Sequence, residues 1–127
     1  MESARRILEL MFLTAWADAR LLGSEAIAIH KLAAQVPLLR EVSRTADIEV
    51  AAKDRLAEKG LEAAVLEVAQ AIENPGHREI AFCCCAKVSG ADGAFDAREA
   101  QVLRILRETW QLAPADVERM LVLATRP

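Results

Sequence analysis

An all-α fold, a bundle of about seven short helices, is what this sequence predicts. Three observations predict it. Ala, Leu, Glu and Arg dominate, Tyr is absent and only four Pro occur; such side chains lose little rotamer freedom in a helix. Apolar residues recur at helical spacing almost end to end, and no stretch alternates with period two for long enough to make a strand. Cap and stop residues cut the chain into short segments. At 127 residues, one domain with one core, residues 1–127, is expected.

Each element has a local reason. Ser3 can cap a first helix from Ala4 to about Ala19, with Ile7, Leu10, Met11 and Thr14 on one face. The chain breaks near Leu22-Gly23, and Ser24 can cap a second helix to about Val36. Pro37 stops it and suits the start of a short third helix, Leu38–Thr45. Asp47 is the expected cap of a fourth helix that ends at Gly60. A fifth, Leu61–Glu73, carries Leu61, Ala64, Val65, Val68, Ala69 and Ile72 on one face, with Glu62, Glu67, Gln70 and Glu73 opposite. Asn74-Pro75-Gly76 reads as the strongest turn. A sixth helix is expected from His77 to Gly90. A seventh begins after Asp96, with Val102, Leu103, Leu106 and Trp110 on one face. A last one follows Pro114 to about Ala124.

Charge and composition remove several function classes. Apolar residues make up 54% of the chain, which argues against disorder. The 16 basic and 19 acidic residues leave a net charge of −3, and no Lys/Arg cluster with interleaved aromatics occurs, so nucleic acid is not an expected partner. The densest apolar runs, near Ile7–Ala17 and Ile80–Ala86, fall short of a membrane span. Glu2 and Glu9 interrupt any secretion signal. A cytoplasmic protein is the resulting expectation. The three cysteines are consecutive, Cys83, Cys84 and Cys85. Neighbours on a helix point about 100° apart, so they do not form a zinc pair. They read as small core residues, with Cys83 the most exposed.

Sliding the chain by 74 positions lays Asp92 on Asp18 and Glu99 on Glu25. Ile29 and Leu32 fall on Leu103 and Leu106, Val36 on Trp110, and Ile7, Leu10 and Met11 on Ala81, Cys84 and Cys85. The same register lays Glu9, read as a polar-face residue, on Cys83. Two pseudo-symmetric helix–loop–helix units are therefore expected, each with an acidic pair. Asp96 and Glu99 also form a capping box, and Glu25 sits where a helix dipole favours an acid. Asp18 and Asp92 lie at or beyond helix C-termini, the unfavourable end for a carboxylate.

A self-contained EF-hand does not fit. With Glu99 at loop position 12, positions 1 and 3 hold Val88 and Gly90, and in the first unit Thr14 and Trp16. Pooling the loops fits better. Asp18, Glu25, Asp92 and Glu99 would then offer carboxylate oxygens to one hard divalent cation such as Ca²⁺ or Mg²⁺.

The stretch ENPGHREIAFCCCAKVSGADGAFDAREAQVLRILRETWQLAPADVERML, Glu73 to Leu121, resembles the TerB-like family, the tellurite-resistance TerB domain. The residues that carry the resemblance are Arg78, Ala91-Asp92-Gly93, Glu99, Leu103 and Leu106. The earlier AWADARLLGSEAIAIHKLA is similar to the family's first acidic turn, with Ala19 in place of its usual Gly. The N-terminal domain of the membrane-linked co-chaperone DjlA looks similar in the same way. The resemblance implies a pseudo-symmetric bundle and a divalent cation, calcium foremost, bound by the acidic turns. It also implies protein partners in a stress-response assembly and no catalysis.

No organic cofactor is expected. His30 and His77 are the only histidines, and neither has a nucleophile nearby in sequence, so an enzyme is not expected. The alternative to cation binding is a protein-interaction scaffold whose acids only cap helices or meet a basic partner. A homodimer formed through Trp16, Phe12 or Trp110 is a further expectation.

Overall fold

The computed structural model describes residues 2–17, 23–42, 45–89 and 97–125. These are all-helical, with no strand among them. The helices are α1 (Glu2–Ala15), α2 (Gly23–Gln35), α3 (Thr45–Lys59), α4 (Leu61–Gln70), α5 (Pro75–Ser89), α6 (Ala97–Thr109) and α7 (Pro114–Thr125). A single 3-10 turn, Leu39–Glu41, lies between α2 and α3.

Two helices form the centre. α1 packs against α2, α3, α4 and α5, and α5 packs against α1, α2, α6 and α7. The reason is in their sequences. Ile7, Leu8, Leu10, Met11, Phe12 and Leu13 of α1 are all buried, a nearly continuous apolar run rather than a stripe. In α5, Ala81, Phe82, Cys84, Cys85, Ala86 and Val88 are buried. Each of these two helices also buries a hydroxyl near its C-terminus and satisfies it internally. Thr14 Oγ1 donates to the Leu10 carbonyl at 2.7 Å, and Ser89 Oγ to the Cys85 carbonyl at 2.9 Å.

The outer helices follow the expected faces more closely. α4 buries Ala64, Val65, Val68 and Ala69, and α6 buries Val102, Leu103, Ile105 and Leu106. Several boundaries differ from those expected. α1 stops at Ala15, four residues early, and α4 at Gln70, three early. The expected third helix is only the 3-10 turn, because Pro37 and the following short connection leave room for a single tight turn that buries Leu39. α3 begins at Thr45, so Asp47 is a first-turn acid rather than the cap. Asn74 is the cap of α5 instead of part of a free turn. Its Oδ1 accepts the N–H groups of Gly76 at 2.8 Å and His77 at 3.2 Å, and Pro75 takes the first helical position.

Two connections depend on positive φ. Gly60 separates α3 from α4 at φ 83°, a conformation that only Gly adopts without strain. At the end of α6, Gln111 takes φ 50°. Leu112 N donates to the Arg107 carbonyl at 3.0 Å and Gln111 N to that of Glu108 at 3.3 Å. This is the Schellman arrangement, closed here by Gln where Gly is usual. It turns the chain sharply into α7.

Candidate functional site

Of the four acids expected to bind a cation, Asp18 and Asp92 lie outside the described residues. Asp96, the expected cap, also lies outside them. Glu25 is the third residue of α2, and nothing is described of its side chain. Glu99 is in the first turn of α6 and is 4% exposed, while its neighbours Arg98 and Ala100 are exposed. A capping or dipole role does not require an acid to be buried. Burial of a carboxylate is costly unless it is compensated by charge or hydrogen bonds. Among the described residues, no group of three or more His, Cys, Asp or Glu is placed to hold a metal.

The two central helices pack against each other. The Thr14 hydroxyl lies beside the Cys85 thiol and itself donates to the Leu10 carbonyl at 2.7 Å. Val88 and Thr14, the first positions of the two rejected EF-hand loops, are both helical and fully buried. Just beyond Thr14, Lys53 Nζ stands 4.8 Å from the centre of the Trp16 ring. The Trp16 indole N–H is shielded from water and has no acceptor among the described residues.

Sequence reasoning missed a charged cluster. Glu9 was expected on a polar face, yet it is only 5% exposed. Its carboxylate accepts from Arg55 Nε of α3, and Arg55 Nη1 also pairs with Glu67 of α4. Lys59 Nζ is 3.0 Å from Glu67, and Arg6 Nη1 is 3.7 Å from Glu9. A cleft of about 300 Å³, lined in part by Arg5, Arg6 and Ile48, opens onto the pair. The signal was available: a lone Glu inside the apolar run of α1 has no water-facing side to occupy, so it needs a cation. Arg78, singled out by the family resemblance, has a structural task. Its Nε donates to the Ile72 carbonyl at 2.8 Å, closing the turn from α4 into α5.

The cysteines order as expected. Cys83 is half-buried, while Cys84 and Cys85 are buried, and all three are free thiols. Burial pushes the Cys84 and Cys85 thiols up to about 12, and burial together with Glu79 raises Cys83 less far. In the native protein, one equivalent of iodoacetamide should therefore label Cys83 alone, with a rate that rises with pH above 8. Peptide mapping checks this. Labelling of Cys85 at an equal rate would contradict the burial.

A second surface lies between α6 and α7. Two adjoining cavities of about 520 and 490 Å³ share Arg107, Val117 and Leu121. Val122, half exposed, stands at the rim. The aromatics expected to form a dimer patch are not there. Phe12 and Trp110 are core residues and Trp16 is half-buried. Large side chains on helices with strong apolar faces went inward.

No helix among the described residues is long and apolar enough to cross a membrane. Comparison with protein-family models, with curated proteins and with solved structures finds no match to this chain.

Proposed function

We propose that this chain is a non-enzymatic, divalent-cation-binding helical module of the TerB type, acting with protein partners in a stress-response assembly. Asp18, Glu25, Asp92 and Glu99 are the ligand set and calcium is the ion. The observation that carries this reading is the packing of α1 against α5, which sets Thr14 beside Cys85. These two residues lie in the C-terminal parts of α1 and α5. Asp18 follows Thr14 by four residues, and Asp92 follows Cys85 by seven. The two acidic segments thus each follow, in sequence, one of two helices that pack on each other.

Three further observations support it. Glu99 is a carboxylate held at the buried start of α6, directly after the second acidic segment. A set made only of carboxylates, with water, suits hard cations and not zinc. Some helix contacts also pair in the 74-residue register: α1 contacts α2, α3 and α5, and α5 contacts α6, α7 and α1. Ile7 and Ala81, Leu8 and Phe82, Leu10 and Cys84, and Met11 and Cys85 fall at matching buried positions.

The scaffold reading is favoured by the open groove between α6 and α7. Thermal melting in calcium, in magnesium and in chelator separates the two. A specific site stabilises the fold by mass action, by about 2.7 kcal/mol at a hundredfold excess over Kd, and so raises the midpoint. Asp92→Asn and Asp18→Asn should each abolish the shift. Equal midpoints with and without saturating ion would end the cation reading and leave the scaffold standing.

A further inference from the structure

α6 and α7 are consecutive, yet each leans on α5. The wedge between them is an open cavity of about 490 Å³, with Phe82 of α5 as its floor and Leu103, Val117 and Leu121 as its walls. Arg104 and Arg107 stand on its α6 side, and no acid lines this part. Arg104 has a loose 3.8 Å pairing with Glu108, both exposed. Arg107 has no ion-pair partner among the described residues.

Another connection of the fold behaves differently. Between α2 and α3 the connection folds back as the 3-10 turn, packs on α1 and α2, and buries Leu39 completely. The connection between α6 and α7 is only residues 110–113. It carries no such turn, and the apolar wedge stays open.

We propose that this wedge is a docking site for a helical segment of another protein, one that inserts a leucine-like side chain over Phe82 and sets carboxylates against Arg104 and Arg107. Helix-in-groove recognition reads such a ligand through apolar anchors at i, i+3, i+4 and i+7. A second copy of this chain fits less well. Groove-to-groove pairing brings four arginines together with no acid in this stretch of the lining. The proposal deepens the scaffold reading and stands whether or not a cation binds.

The test is fluorescence anisotropy with a labelled synthetic helix of about four turns, leucines along one face and glutamates beside them. Matched peptides carry lysine in place of glutamate, or alanine in place of leucine. The acidic leucine peptide should bind about tenfold tighter than either. Arg104→Glu/Arg107→Glu should reverse the preference for glutamate over lysine. Both side chains are exposed, so the variant should keep the native melting curve. Equal binding of acidic and basic peptides, or binding of neither, overturns the proposal. So does a dimer in sedimentation that the arginine variant dissociates, because the occupant is then a second copy. Titrations in calcium and in chelator should agree, so failure here is distinct from failure of the cation melts.

Discussion

Replacing Arg55 with Ala is expected to destabilise the protein by about 3 kcal/mol, a large share of the roughly 5–15 kcal/mol typical of such a domain. The cost arises at Glu9. Its side chain is 7% exposed, and Arg55 is the closer of the two cations described against it. Removing the guanidinium leaves a carboxylate shielded from water with only Arg6, 3.7 Å away and 29% exposed. That remaining contact keeps the cost toward the lower end for a broken buried pair. Glu67 provides the comparison. It shares Arg55 but is 47% exposed and keeps Lys59 at 3.0 Å, so Glu67→Ala should cost less than about 1 kcal/mol. The double change Glu9→Leu/Arg55→Leu removes both buried charges and should recover most of the loss. Urea unfolding with an unchanged m-value measures all three. Equal effects of Arg55→Ala and Glu67→Ala would mean that Glu9 is solvated and the pair is an ordinary surface contact.

The same residue shows where the sequence was legible and where it was not. Period alone located α4 and α6, because each buries one stripe: Val65 and Val68 face in while Glu62 and Glu67 face out. It failed at Glu9 because α1 is buried on nearly all sides, so a polar residue there does not mark a polar face. The partner is 46 residues away on α3, and no local pattern connects them. Asn74 was misread for a different reason. Asn-Pro-Gly is good turn chemistry, but Asn before Pro is equally good cap chemistry, and the helix beyond decided between them. The spacing of Asp18, Glu25, Asp92 and Glu99 named the candidate ligands. It could not tell that Glu99 would be buried, which depends on how α6 is rolled against α4 and α5. The wedge over Phe82 was likewise invisible, because it is made by what two connections do differently.

Trp110→Ala should cost about 3–5 kcal/mol, the range for truncating a buried aromatic, whereas Trp110→Phe should cost only about 1 kcal/mol. Trp110 ends the apolar face of α6 and is 6% exposed. Its indole N–H reaches across to the Ala69 carbonyl at the end of α4, at 3.0 Å. Phe keeps most of the apolar contact and loses only that bond. The carbonyl is not then abandoned, because Ile72 N also donates to it at 3.1 Å; hence the small value. Ala loses the packing between α4 and α6 as well. Denaturant titration of both variants distinguishes the two contributions. A Phe variant as damaged as the Ala variant would mean that the hydrogen bond, and not the ring, holds α6 on α4. The distinction bears on function. α6 carries Glu99 at its start and Arg107 near its end, so its seating on α4 positions both the proposed ligand and the proposed docking wall. A fully folded Trp110→Phe protein should therefore keep any calcium shift and any peptide binding, while Trp110→Ala should weaken both together.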